Sequence, residues 1–261
     1  MPNIKVLIIG ASIAGPTAAY WLAKTGADIT VIERFPSLRT NGQNVDIRTS
    51  GVTIMRKMPG MEDAVRAKRS QMEGINFVLA DGSTYASIKP TGNPDQQSLV
   101  SEYEIFRGDL SRILFNLTKE NENIKYVFGE QVASMRQQVD GKANGRIIVE
   151  FANGLATAEY DLVISCDGAT SRTRAMGLGC GSRDYVYPSN SWAAFFSIDE
   201  NLFEGSTMGH AYSAVGGRFI AAGSDTSRVT RVVLMGFNPL GDHAASISFR
   251  DAMKKGDEGL K

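Results

Sequence analysis

The first 33 residues of the chain constrain its fold more than any other stretch. Lys5 to Ile9 is a short β-rich run, apolar at successive positions, the pattern of a parallel strand covered on both faces. Gly10 breaks it. After the turn Gly10, Ala11, Ser12, Ile13, Ala14, Gly15, the apolar residues Ala18, Ala19, Leu22 and Ala23 fall at helical spacing. Pro16 suits the first turn of that helix, where an N–H would have no partner, and Gly26 marks its stop. Asp28 to Glu33 resumes the strand pattern and completes a strand, turn, helix, strand unit.

The turn itself carries chemistry. A dinucleotide needs one glycine for the sharp bend, a second so that backbone approaches the pyrophosphate, and a third where helix packs on strand. Gly10 and Gly15 fill the outer positions, and Ser12 stands in the middle one. A helix starting near Ala14 offers free N–H groups and a positive dipole end to a diphosphate, which makes Ile13 and Ala14 candidate contacts too. Glu33, 23 positions beyond Gly10, ends the second strand. A carboxylate there accepts from a ribose diol and repels a 2′-phosphate, so the adenosine of FAD or NAD suits the site better than that of NADP. The same pattern also fits a βαβ turn that binds nothing.

Further along, helical spacing returns around Val52, Met55 and Arg56 and around Ala64, Val65 and Lys68. Residues 74–79 and 84–88 alternate about Asp81 and Gly82, a hairpin signal, and 89–97 reads as a loop. A helix is expected over 108–117, and strands over 124–128, 131–138 and 146–151, with turns at Asp140, Gly141 and at Asn153, Gly154. Residues 161–165 read as another buried strand. From 190 the texture turns aromatic and β-branched with intervening glycines, over 190–198, 208–214, 217–224 and 228–237, the composition of an antiparallel sheet. Residues 245–255 look helical.

Composition narrows the function. Twenty-eight Lys and Arg balance 28 Asp and Glu, which leaves no electrostatic footprint for nucleic acid or an anionic membrane. Cys166, Cys180, His210 and His243 are too few for a disulfide framework or a protein-built metal centre. The apolar run 6–9 is far shorter than the ~20 residues of a membrane span and too short for a signal segment. A reduced cytoplasmic protein acting on a small molecule is the expectation.

Two later stretches separate FAD from NAD. Glu104, Ile105, Phe106, Arg107, Gly108, Asp109, Leu110 opens a helix with an arginine at its start, and the run from Asp161 through Ser165, Cys166, Asp167, Gly168 to Arg172 ends a strand. With the first turn and the Glu33, Arg34 pair, these resemble the FAD-dependent aromatic-ring hydroxylases, the group A flavin monooxygenases of the p-hydroxybenzoate hydroxylase type. The stretch Gly42, Gln43, Asn44, Val45, Asp46, Ile47, Arg48 looks like the fungal and tetracycline-inactivating branches. The resemblance implies an α/β fold: a Rossmann-like FAD-binding domain with a GxSxxG turn and an inserted or following β-rich substrate domain. It implies that Arg107 contacts FAD, that Asp167 serves FAD and NAD(P)H, that Asp46 lies against the flavin, and that Arg172 and Arg174 meet the reductant. Two blander readings stay open, Arg107 as a solvated helix-start residue and Asp167 as a cap on the turn that follows it. The implied reaction uses NAD(P)H and O2 to hydroxylate or epoxidise a small, largely apolar or aromatic substrate in secondary metabolism. No residue is assigned as a general acid or base. Trp192, Phe195 and Phe196 fall in the substrate lobe, with His210 and Tyr212 as candidate polar groups, while Met55, Met58 and Met61 read as core.

The resemblance divides the chain into an FAD-binding part at 1–75 and 100–180, a substrate part at 76–99 and 181–245, and the start of a connecting helix at 246–261. The family's third FAD motif, a Gly-Asp pair opening a helix, is expected to lie beyond Lys261. Gly241, Asp242 and His243 imitate it only 73 positions after Gly168. That placement leaves an alternative: a truncated flavoprotein fold with weak or no FAD binding, acting as a non-redox isomerase or cyclase, as a partner subunit, or completed by a second copy. An NAD-dependent reductase is a third reading, against which Arg107 and Asp167 count.

Overall fold

The structure is a computed structural model and describes residues 3–40, 42–70, 72–93, 95–96, 98–138, 145–187, 189–203, 205–224, 229–239, 247–248, 251–252 and 255. In chain order the first elements are β1 (Lys5–Ile9), α1 (Ala14–Ala23), β2 (Asp28–Glu33), β3 (Asn44–Asp46), α2 (Ser50–Arg56) and α3 (Met61–Lys68). Next come β4 (Gly74–Val78), β5 (Thr84–Ile88), β6 (Glu104–Phe106), α4 (Arg107–Asn116), β7 (Ile124–Phe128), β8 (Val132–Gln137) and β9 (Ile147–Phe151). The last are β10 (Ala158–Tyr160), β11 (Leu162–Ser165), α5 (Arg172–Leu178), β12 (Ser191–Ile198), β13 (Met208–Ala214), β14 (Arg218–Ser224) and β15 (Thr230–Phe237).

The chain divides into two units. The first, Met1–Val45, Ile54–Lys68 and Ile105–Val186, is built on a parallel sheet in the order β11-β1-β2-β7. Side chains alternate across β1: Val6 and Ile8 pack with Ala19, Ala23 and Ile29 on the α1 side. Leu7 and Ile9 pack with Ile32, Val132, Val149 and Tyr160 on the other, where the antiparallel sheet β10-β9-β8 lies. With helix on one face and sheet on the other, β1 is apolar from Val6 to Ile9, since each of those four side chains leaves water, while Lys5 at its start stays exposed. The expected buried strand at 161–165 forms as β11, but it borders only β1, and Leu162 is 41% exposed. An apolar run reports burial of faces, not the number of strand neighbours.

The second unit, Asp46–Thr53, Arg69–Glu104 and Tyr187–Lys261, holds a six-stranded sheet in the order β12-β15-β14-β13-β4-β5. Every pairing is antiparallel except β13 with β4. The 76–99 hairpin is thus part of this sheet together with Gly74 and Ile75, so the strand starts before residue 76. Ile47 donates its N–H to the Tyr103 carbonyl at 3.1 Å, and Ile47, Val52, Val100 and Tyr103 are buried. Residues 46–53, 69–75 and 100–104 thus fall in the second unit, where the sequence division had assigned them to the first, and residues 181–186, assigned to the substrate part, fall in the first unit. Of 245–255, residues 247–248 and 251–252 are helical, and the rest, apart from Lys255, lie outside the described residues, as do Gly241, Asp242, His243 and the Asp140, Gly141 turn. No helix among the described residues is long and apolar enough to cross a membrane.

The outer strand β7 is closed by aromatic packing. Phe115 of α4 meets Tyr126 and Phe128 edge-on, with centroids 4.8 and 5.9 Å away, and the Tyr126 hydroxyl pairs with the Thr118 hydroxyl at 2.7 Å. Burial pushes the Tyr126 phenol up to about 12, against the opposing effect of the Thr118 bond. A folded value above the ordinary 10.0 means a contribution that is complete below the unfolded value and lost as the pH rises through the folded one. Tyr126→Phe should therefore cost about 1 kcal/mol at neutral pH and flatten the fall in stability above pH ~10, read by urea unfolding across an alkaline series.

Candidate functional site

The end of β1 and the start of α1 are fixed by two glycines with different reasons. Gly10 has φ +107, a conformation that L side chains rarely adopt, and a Cβ there would lie 2.5 Å from the Cys166 carbonyl oxygen. Gly15 is needed for space, because its Cβ would sit 1.8 Å from the Gly10 carbonyl oxygen. Ser12 is not among the residues with positive φ, so the middle position tolerates a side chain without backbone strain. Ile13 is the N-cap of α1 and has no side-chain capping bond, and no acidic residue occupies the first turn. No side chain of the helix's own first turn competes for the N–H groups there, which suit a diphosphate.

Glu33 ends β2 almost fully buried, and its carboxylate reaches back over the turn: Oε2 accepts from the Ala11 N–H at 3.0 Å and Oε1 from the Phe35 N–H at 3.1 Å. Each oxygen keeps a further acceptor position for a hydroxyl. Arg34 is exposed, its guanidinium 4.9 Å from the Phe35 ring centroid, and Arg39 stands against the same ring at 4.6 Å.

Arg107 arrives from far along the chain. Its Nη2 donates to Ser12 Oγ at 3.4 Å, and its backbone N–H to the Gln43 carbonyl at 3.0 Å. The segment before Gln43 is threaded against the start of α4 so closely that a Cβ on Gly108 would lie 1.9 Å from the Thr40 carbonyl oxygen. Ser111, one turn further, donates to the Ser12 carbonyl at 3.2 Å. Sequence reasoning missed Ser111 and Arg39, although Ser111 follows Arg107 by four positions and so shares its helix face.

Asp167 behaves differently. Its Oδ1 accepts from the Ser171 hydroxyl, and its Oδ2 from Thr173 through Oγ1 at 3.0 Å and N–H at 3.3 Å. Ser171 Oγ in turn accepts from the Arg174 N–H at 2.8 Å, so α5 starts from a side-chain cap. This is the capping arrangement held open above. Arg174 is anchored to the Ala169 and Ser182 carbonyls, each at 3.0 Å, while Arg172 is exposed. The Cys166 thiol is pushed up by burial and then by the neighbouring Asp167 charge, which keeps it protonated and inert.

Asp46 belongs to the second unit, where it pairs with Arg48 at 2.8 Å, and Arg48 also holds the Ser98 and Leu99 carbonyls. In the same unit Trp192 stands opposite Gly236, Phe195 and Phe196 are half exposed, and Phe203 lies 5.1 Å from His210. His210 stands opposite Asn76, whose Oδ1 accepts from Ser87 at 2.6 Å, a polar row across three strands. Among the described residues no group of His, Cys, Asp and Glu is placed to hold a metal.

The sequence model of one family, described as FAD binding domain, matches residues 3–255. The chain belongs to that family. It is 35% identical to the FAD-dependent monooxygenase asL4 of Sarocladium schorii, over 92% of this chain and 54% of that protein. It is 36% identical to the flavin-dependent monooxygenase eupH of Phoma sp, over 99% of this chain and 61% of that one. The crystal structure of tetracycline destructase Tet(55) superposes with a TM-score of 0.70 at 27% identity, covering the whole of this chain and 65% of that one. The chain thus spans between about half and two thirds of the lengths of these relatives. FAD is the family's cofactor, and the polar groups of the first unit fit it: uncapped helix N–H groups and the Arg107 guanidinium at Ser12 as donors, and the Glu33 carboxylate as an acceptor.

The capping role of Asp167 is open to measurement. Asp167→Ala should lower the stability of the cofactor-free chain by about 1–2 kcal/mol in urea unfolding. Unchanged stability would remove the carboxylate from the cap.

Proposed function

We propose that the chain works as an FAD-dependent monooxygenase, using NAD(P)H and O2 to hydroxylate or epoxidise a small, largely apolar or aromatic substrate. The observation that carries this reading is the meeting of Arg107 with Ser12 at 3.4 Å, 95 residues apart in sequence, beside a helix start left uncapped. Bound FAD supplies the electron and oxygen chemistry, and the chain binds, orients and excludes water.

In this reading the α1 start, through Ser12, Ile13, Ala14 and the space made by Gly10 and Gly15, receives the pyrophosphate. Glu33 accepts from the ribose hydroxyls, Arg34 flanks the adenosine, and Arg107 forks to phosphate or ribose oxygens. Asp167 contributes by shaping the turn at Gly168, and exposed Arg172 is left to meet the reductant. The first unit holds FAD, and the aromatic sheet of the second receives the substrate. The aromatic residues carried by that sheet, Trp192, Phe195 and Phe196 on β12, support an apolar substrate over a charged one.

Titration with FAD tests the proposal. The chain should take up yellow flavin that NADPH bleaches, with substrate-stimulated oxygen uptake. A chain that stays colourless and shows no thermal shift in excess FAD overturns the redox reading. Glu33→Ala should weaken FAD binding by about 1–3 kcal/mol, measured by flavin fluorescence, and unchanged affinity would refute its ribose role.

A further inference from the structure

Glu130, which follows β7, has no part in the roles above, yet it is 3% exposed and its carboxylate gathers four backbone N–H groups. Oε1 accepts from Gln131 at 2.9 Å, Ala152 at 3.1 Å and Asn153 at 2.8 Å, and Oε2 from Leu155 at 3.0 Å. Burial pushes this carboxyl up, but the N–H groups of Leu155, Gln131, Asn153 and Ala152 together outweigh it and hold its pKa below the ordinary value. Glu130 is therefore a buried carboxylate whose charged form is stabilised by backbone amides, three of them from the 152–155 turn. Asn153 strengthens the join through its Nδ2, which donates to the Gly129 carbonyl at 2.7 Å.

The other side of the same residue points at the cofactor unit. Glu130 donates its own N–H to the Glu33 carbonyl at 2.9 Å, and Gly129 donates to the Phe35 carbonyl at 2.9 Å. These two bonds continue the β2–β7 ladder past its last registered pair, Glu33 with Phe128. Residues 33–35 are thereby pinned just where the Glu33 side chain must turn back to the Ala11 N–H. A continuous set of hydrogen bonds runs from the 152–155 turn through Glu130 to the Glu33 backbone, and through the Glu33 carboxylate to the nucleotide turn.

We propose that Glu130 is a positioning residue for the adenosine end of the FAD site, acting through Glu33; this rests on the FAD reading given above. Removing its charge loosens the 129–131 backbone, lets residues 33–35 shift, and misplaces the carboxylate that accepts from ribose. A purely structural role for Glu130 would weaken the fold without touching Glu33 in particular.

FAD affinity of the purified chain, by flavin fluorescence, separates the two in a cycle of Glu130→Gln, Glu33→Ala and the double variant. Glu130→Gln should weaken FAD binding roughly 3- to 10-fold, and that loss should vanish in the Glu33→Ala background. No loss, or the same loss in both backgrounds, overturns the inference and leaves the FAD reading intact. If the native chain takes up no FAD, the FAD reading fails, and amide exchange in the cofactor-free chain still decides the positioning role. The Ala11 and Phe35 amides, held by the Glu33 carboxylate, should exchange at least about 10-fold faster in Glu130→Gln; unaltered protection sinks the idea. Should that variant not fold, the native chain serves: the amides of Ala11, Phe35, Asn153 and Leu155 should open as one unit with one denaturant dependence, and independent opening overturns the proposal.

Discussion

A side chain at position 15 would place its Cβ 1.8 Å from the Gly10 carbonyl oxygen, and much of the first unit depends on that missing atom. It lets α1 begin directly against the end of β1. From there the helix axis is set, Ala19 and Ala23 pack on Val6, Ile8 and Ile29, and α4 lies beside α1. The same close approach brings the helix N–H groups to the level of the strand ends, where Glu33 and Arg107 also arrive. Larger residues along α1 would push the helix from the sheet and separate these groups, which is why the helix face toward β1 is built of alanines.

Two helices of this unit follow a strand through a tight glycine turn, and they are finished in opposite ways. The α5 start is sealed: Ser171 caps it, and Asp167 accepts from Ser171 and Thr173. At α1, by contrast, the residue at the N-cap is Ile13, which has nothing to donate or accept through its side chain. An uncapped start is unfavourable by about 1 kcal/mol relative to a capped one, and a bound anion offsets that loss. The unequal treatment of two similar turns is what favours α1 over α5 in the proposed placement of the diphosphate, and at α5 Asp167 serves the cap.

The βαβ unit was legible because its signals are local: an apolar run, a glycine turn, helical spacing and a second run within 33 residues. The same holds for the β4–β5 hairpin at Asp81 and Gly82 and for the four long strands after residue 190. The meeting of Arg107 with Ser12 was not legible in the spacing, since nothing local ties residues 95 positions apart; the family resemblance singled out Arg107 as an FAD contact but not its partner. Unit boundaries differed for a related reason: Gly74 read as an ordinary strand start and Ile47 as part of the 42–48 stretch, and their membership is decided by partners at Met208 and Tyr103. Glu130 left no signal at all. Its partners are backbone amides, which every residue but proline carries, so no side-chain pattern marks them.

The two buried glutamates of this region share a feature that bears on binding an anionic cofactor. Glu33 and Glu130 are each met by backbone N–H groups, two for Glu33 and four for Glu130, and none of the ion pairs described involves either. Had either been neutralised by an arginine, that guanidinium would have been lost to the diphosphate. Instead Arg107 meets only a hydroxyl at long range, and Arg34 and Arg39 lie on the Phe35 ring, where the attraction is weak enough to yield to a phosphate. Backbone amides thus hold these acids, and among the ion pairs described none ties Arg34, Arg39 or Arg107 to either of them. The turn at 152–155 lies far along the chain from α1, and it satisfies Glu130 without drawing on any arginine.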